Sequence, residues 1–134
     1  MATIMWTLTG PTRGAAKMRK LLLLTILFVS SVPLAYAAGA VARNPHNNDS
    51  AIVVNKATGD DAARDALLAC GSDCVIVKTF QNSCVAYAAD HRANSTRYGI
   101  GEASDADSAG EIALKNCQEG GGSCTVMSSG CDGK

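Results

Sequence analysis

The stretch DAARDALLACGSDCVIVKTFQNSC, residues 61–84, decides the fold because it joins a helix pattern directly to a strand pattern. Small and apolar residues recur at helical spacing between Ala62 and Cys70, behind acidic residues that suit a first helical turn. After a short polar turn, CVIVKTF at residues 74–80 is rich in β-branched residues, which favour a strand. The stretch therefore predicts a helix and then a strand, with cysteines at the helix end, at the strand start and beyond the strand.

The same pattern returns later in the chain. At an offset of 47, DAARDALLAC at residues 61–70 aligns with SAGEIALKNC at residues 108–117. At this offset the preceding segments GAVAR and AIVVNKA fall on AYAAD and YGIGEAS, and each half holds three cysteines in the same order. The sequence therefore predicts two units, at about residues 39–85 and 86–132, each with the order strand, strand, helix, strand.

Two such units predict a single small α+β domain that is rich in disulfides. We expect a mainly antiparallel sheet with two helices on one face, and the alanine-rich helix faces allow close approach to that sheet. The core is small, because Phe80 is the only Phe after residue 37 and the only Trp is Trp6. Polar segments at residues 43–49 and 91–96 predict two loops at matching positions.

Six cysteines, all after residue 69, are typical of a disulfide framework in an exported domain. Strands over 74–84 and 124–131 would hold their own ends roughly 30 and 20 Å apart, whereas bonded Cα atoms lie about 5 to 6 Å apart. Turns, in contrast, bring the cysteines at each helix end close to those at the next strand start. The predicted pairs are Cys70–Cys74, Cys117–Cys124 and Cys84–Cys131, and the last pair is expected to tie one unit to the other.

A zinc site is the alternative use of the four cysteines at the turns. Their spacings are three and six residues, and the second is longer than the spacing of about two to four residues that is common between paired zinc ligands. No Cys-x-x-Cys redox pair occurs. The acids of GDD and SDAD lie at helix starts, where capping explains them better than calcium does. We therefore expect no metal and no cofactor.

The N-terminal segment has the features of a signal peptide. The first 48 residues contain no acidic residue, Leu21–Val32 is an uncharged apolar run, and Ala35–Ala37 has the small-x-small form of a cleavage site. Four basic residues precede the apolar run, namely Arg13, Lys17, Arg19 and Lys20. We expect residues 1–37 to be a signal peptide, with Met18 as a possible true start.

The exported part, residues 38–134, is acidic, with 8 Lys or Arg against 12 Asp or Glu and a net charge of −4. This balance argues against nucleic acid as a partner, because phosphate rewards basic patches. The apolar run of about 12 residues is too short to span a bilayer. We expect no stable membrane insertion after cleavage, and a periplasmic or secreted protein.

The sequence offers few candidates for chemistry. His46 and His91 are its only histidines, and both lie in the polar loop segments. No nucleophile elbow, zinc helix or phosphate-binding glycine loop occurs, and Gly-x-Gly at residues 99–101 is expected to be a backbone turn. We predict no catalytic residue; His46, His91 and Tyr98 are candidates for surface binding.

Several of these segments together are similar to a known family. GAVA, ALLACGSDCVIVKTFQNSCVAYA, YGIG and the later cysteine pattern resemble the bacterial domain-of-unknown-function family DUF4189 over residues 39–131. The resemblance implies a small exported protein, and it implies no particular activity.

The sequence favours a small exported disulfide-stapled module without catalysis that binds a protein or cell-envelope component. One alternative is a small exported enzyme or effector that uses His46 and His91 as bases. Another is an inhibitor of an envelope-attacking enzyme, since an acidic surface suits a basic target.

Overall fold

The structure is a computed structural model that describes residues 37–133. The expected signal peptide and the alternative start at Met18 lie outside the described residues, apart from Ala37. The elements, in chain order, are β1 (Ala38–Arg43), β2 (Ser50–Lys56), α1 (Gly59–Cys70), β3 (Val75–Phe80), β4 (Cys84–Asp90), β5 (Tyr98–Ala103), α2 (Ala106–Gln118) and β6 (Cys124–Cys131). The predicted order of strand, strand, helix, strand thus occurs twice.

The strands form two three-stranded antiparallel sheets, with the orders β2-β1-β3 and β5-β4-β6. The α+β class and the two similar units are confirmed. The expected arrangement of all strands in one sheet, with both helices on one face, differs from the structure: each unit makes its own sheet, and each helix covers its own sheet. The reason is that the first strand of each unit is already paired on both sides by strands of the same unit.

The two central strands explain how the layers stack. In β1, Ala40 and Ala42 pack against Ala62 and Ala66 of α1, whereas Val41 faces the other way. In β4, the residues on the α2 side are Cys84 and two alanines, whereas Val85 and Tyr87 join Val41 in a core between the sheets. Successive side chains of a strand point to opposite faces. The order of layers is therefore α1, first sheet, second sheet and α2.

This alternation corrects the alignment of the two units. Ala42 and Ala88 both face a helix, which is an offset of 46, and their partners Ala51 and Gly99 are 48 residues apart. The helices keep the offset of 47. A single offset of 47 is wrong in the strands, because the cross-strand partners Ala42 and Ala51 are 9 residues apart in the first hairpin, whereas Ala88 and Gly99 are 11 residues apart in the second. A shift of one residue exchanges the two faces of a strand.

The Gly-x-Gly segment lies inside β5 and is not a turn. A Cβ atom at Gly99 would overlap backbone atoms of Ala113 and Cys117, and one at Gly101 would overlap the backbone of Ala109. The glycines are thus required because the backbone of α2 lies directly on this strand.

Asp132 connects the two units at the end of the chain. It is fully buried, and its carboxylate accepts hydrogen bonds from the backbone N–H groups of Asn55, at 2.8 Å, and Asn82, at 3.2 Å. Both asparagines have positive φ, 58° and 51°. An ion pair of 2.7 Å between Lys78 and Glu102 also joins the sheets. Contacts of the first unit therefore depend on a residue that follows the last strand.

Neither helix in residues 37–133 is long and apolar enough to cross a membrane.

Candidate functional site

The structure contains the disulfides Cys70–Cys74, Cys84–Cys131 and Cys117–Cys124, which are the three pairs that the sequence predicts. All six cysteines lie in the described part of the chain, and none is free. The zinc alternative thus has no thiolate available to it.

The position of Cys84–Cys131 differs from the expectation that it ties one unit to the other. Both residues belong to the second sheet, where they lie opposite each other in the pair β4–β6. The reason is that β3 already ends at Phe80, so Cys84 begins the second unit. The covalent bond therefore closes one sheet, and the units are held to each other by noncovalent contacts.

Two loops from the two units meet at one end of the sandwich. We call residues 44–49 and 91–97 the loop end. The short disulfides lie beside it: a sulfur of Cys70 is 3.8 Å from the carbonyl oxygen of Asp49, and a sulfur of Cys117 is 3.9 Å from that of Arg97. Each loop therefore lies against the disulfide that closes the end of a helix.

Arg43, at the end of β1, fastens the two loops together. Its side chain is buried, and Nη2 donates hydrogen bonds to Asn48 Oδ1 and to the carbonyl oxygen of Thr96, both at 3.2 Å. Asn48 Nδ2 in turn donates to the carbonyl oxygen of Ser95 at 2.8 Å. The loop of the first unit is thus bonded to the loop of the second in two places.

The ring of Tyr98 contacts both Arg43 and Tyr87 and holds the Arg43 side chain in place. The guanidinium carbon of Arg43 lies 4.0 Å from the centroid of the Tyr98 ring, a cation–π contact, and Tyr87 stacks on Tyr98 at 5.8 Å. Tyr98 is only half-buried, but its ring is already engaged with Arg43 and Tyr87. Burial raises the pKa of the Tyr87 phenol, and the charge of Arg43 opposes this rise.

Asp90, at the end of β4, organises the loop of the second unit. Its buried carboxylate accepts hydrogen bonds from Arg92 Nε and Ser95 Oγ, each at 2.9 Å to Oδ2. The hydrogen bonds from Arg92 hold the pKa of the Asp90 carboxyl well below its usual range. The loop that contains His91 is therefore organised around an ionised carboxylate.

We expect Asp90→Asn to make stability less dependent on pH in acid. The folded-state pKa of Asp90 lies below the value of about 3.9 in an unfolded chain, so its contribution to stability is complete above the unfolded value and is lost as the pH falls toward the folded one. Denaturant titrations between about pH 5 and pH 2 should show a smaller loss in Asp90→Asn than in the wild type. Asp60→Asn, at an exposed carboxyl, is the control; equal losses in Asp90→Asn and the wild type would contradict the prediction.

The two histidines come together at this end of the molecule. His46 and His91 are exposed and line one cavity of about 380 Å³. His91 Nε2 lies 3.4 Å from Ser123 Oγ, and within residues 37–133 no carboxylate is hydrogen-bonded to either imidazole. The described residues also hold no cluster of three potential metal ligands. The arrangement offers imidazole side chains for contact with a ligand, on a rigid base.

Sequence reasoning missed Arg43, Asn48 and Asp90. A signal was present, because GAVAR and AYAAD are apolar strands that end in a charged residue at the start of a loop. A charge there has to be paired or hydrogen-bonded if the strand end is buried. The partner of Arg43 in the second loop, Thr96, lies 53 residues away and could not be read from the local pattern.

Comparison with known proteins agrees with the sequence patterns. A family model described as a domain of unknown function, DUF4189, matches residues 38–131, a range that contains every strand and helix of the described part. No curated protein and no solved structure matches the chain. The predicted family resemblance is confirmed, and the chain belongs to the DUF4189 family.

Proposed function

We propose that this protein is a non-catalytic binding module that acts in the periplasm or outside the cell, and that its loop end contacts a protein or cell-envelope component. The observation that carries the proposal is the bonding of both loops through Arg43. Loops that are ordered before binding lose less conformational entropy when a partner docks. Three disulfides support the location, since such bonds persist in oxidising compartments.

The loop end has the composition of a contact surface. Its cavity is lined by imidazole, amide and carboxylate groups, with Met127 of β6 as an apolar member. Polar groups that are held in fixed positions give a binding site its specificity. Of the two cavity acids, Asp90 is buried and paired with Arg92, whereas Asp49 is exposed and offers its carboxylate to partners that donate hydrogen bonds.

An exported enzyme is the second candidate, and the contact between His91 and Ser123 favours it. A base has to be within hydrogen-bonding reach of the group that it deprotonates, and 3.4 Å is at the long end of that range. Both side chains are exposed, however, and a catalytic pair gains from exclusion of water. The binding proposal therefore takes precedence.

Cross-linked capture from cell-envelope and culture-supernatant fractions tests the proposal with matched variants. Asn47→Trp places a bulky side chain at the exposed loop end, and Gln81→Trp places one at the exposed turn after β3. A partner recovered with the wild type and with Gln81→Trp, but lost with Asn47→Trp, is the expected result. Equal recovery with both tryptophan variants, or no specific partner with the wild type, would overturn the proposal.

The double variant His46→Gln, His91→Gln separates the two candidates. A binding module should return its partner chemically unaltered with the wild type and with the double variant, whereas an enzyme should lose its action on the captured component in the double variant. Recovery of the partner in altered chemical form with the wild type, and in unaltered form with the double variant, would favour the enzyme.

A further inference from the structure

We propose that β6 is a docking edge to which a partner protein adds an extended segment that carries basic side chains. The proposal adds a second interaction surface to the molecule and does not depend on the loop end. It is carried by the backbone of β6 and by the surface of α2 beside it.

β6 is an edge strand with unusual composition. It is the eight-residue sequence CTVMSSGC, without a charged residue or proline, and its outer side has no strand partner within residues 37–133. The other three edge strands each contain a charged residue, namely Lys56 in β2, Lys78 in β3 and Glu102 in β5. Charged residues on edge strands prevent pairing with other chains. Of the described edges, β6 is the one without this protection.

The shape of β6 also allows an added strand. A register shift beside Tyr87 leaves Met127 as an extra residue, and such bulges disturb pairing locally. From Ser128 to Cys131 the pairing with β4 is regular. Val126 is exposed at 41% and lines the groove beside α2, so an added segment would cover an apolar side chain as well as forming backbone hydrogen bonds.

A groove runs between β6 and α2 on the helix side of the sheet. It has a volume of about 520 Å³ and is lined by Ala106, Asp107, Gly110, Glu111, Leu114, Val126 and Ser129. Gly110 has no side chain to fill this groove; a Cβ atom at this position would lie 3.6 Å from Val126. Every second side chain of a strand added to β6 would point into this groove.

The charge of the groove selects a basic segment. Asp107 and Glu111 are exposed one turn apart on α2, and neither forms an ion pair within the described residues. The first unit lacks this arrangement, because the residues at the same offset in α1 are Asp60 and Arg64, which carry opposite charges. A Lys or Arg on the helix-facing side of an added strand would neutralise the pair. The net charge of −4 over residues 38–134 also attracts such a segment.

The same charges disfavour a second copy of this chain as the occupant. Antiparallel pairing of two β6 strands would place two copies of α2 on the same face of a continuous sheet. Asp107 and Glu111 of both copies would then line a common surface, where like charges repel. The proposal therefore commits to a basic segment of another protein.

Amide hydrogen exchange with a peptide probe tests the docking edge. The probe is a peptide as long as β6 in which Lys alternates with Thr and Val, and the control peptide has Glu in place of Lys. We expect slower exchange confined to Cys124–Cys131 with the lysine peptide and no change with the glutamate peptide. Affinity for the lysine peptide should fall about fivefold in Asp107→Asn, Glu111→Gln. The matched variant Asp60→Asn should bind as the wild type does.

Three results would overturn the proposal. These are unchanged exchange of β6 at peptide concentrations up to about 1 mM, equal affinity of the double variant and the wild type, and protection of β6 that depends on protein concentration without peptide. Failure here is distinct from failure of the proposed function. The docking edge alone is wrong if the peptide does not protect β6 while Asn47→Trp abolishes capture, and the reverse pattern overturns only the loop end.

Discussion

The double variant Cys84→Ser, Cys131→Ser should melt about 10 °C below the double variant Cys70→Ser, Cys74→Ser. The first bond joins residues 47 apart in sequence, and the second joins residues 4 apart. In the chain-entropy model, closing the longer loop contributes about 4 kcal/mol and closing the shorter loop about 2 kcal/mol. The stabilisation from the longer loop is lost when the disulfide between β4 and β6 is removed.

The burial of Cys84 increases the expected difference in melting temperature between the two double variants. Cys84 is fully buried beside α2. A serine at this position therefore places its hydroxyl group in a buried site, where the loss of hydrogen bonds to water lowers stability further. Thermal unfolding followed by circular dichroism without reductant measures the effect. Equal melting temperatures of the two double variants would show that the loop between residues 84 and 131 is already constrained in the unfolded chain.

Gly101→Ala should lower the free energy of unfolding by about 2 kcal/mol, a value typical of overpacking in a core. The obstacle is the backbone of α2 at Ala109 and Ala113, which cannot move aside as a flexible side chain can. The helix has to shift away from β5, and its packing on the alanines of β4 is then lost as well.

Gly59→Ala is the matched control for Gly101→Ala. A Cβ atom at Gly59 would meet nothing within 4 Å, and alanine favours the helix α1 in which it lies. Urea denaturation should therefore show a loss for Gly101→Ala and no loss for Gly59→Ala. A Gly101→Ala variant as stable as the wild type would contradict the close approach of α2 to β5.

The parts of the fold that are determined by residues close together in the chain could be predicted from the sequence. Both helices follow from spacing and acidic first turns, and the two short disulfides follow from turns that bring a helix end to a strand start. Cys84 and Cys131 could be paired because they were the cysteines that remained. Each of these inferences depends on distances along the chain, which a sequence states directly.

The number of sheets and the faces of the strands could not be predicted in this way. The offset between the units changes from 46 to 48 within one hairpin, and the sequence alone does not show where the extra residues lie. Gly99 and Gly101 look like turn residues unless the helix that lies on them is known. Three-dimensional contacts, and not local preference, decide both features.

The position of the candidate site could be predicted from the sequence, but the contacts that hold its loops in place could not. His46 and His91 are brought together because they lie in equivalent loops, as the repeat suggests. Arg43, which holds those loops, bonds across 53 residues, and Tyr98 is engaged by Arg43 and Tyr87. A polar residue in a loop signals a surface, but its partners decide whether that surface is rigid.

Asp132 is bonded to the chain segment that would have to open if the two halves of the molecule separated. Residues 81–83 are the only chain segment between the two units, and each unit covers a face of the other, so the halves can separate only if this segment opens. Asp132 holds the N–H of Asn82 within this hinge and keeps the chain turned back on itself. Drawing the halves of one chain apart would therefore cost the hydrogen bonds that Asn55 and Asn82 donate to this buried carboxylate.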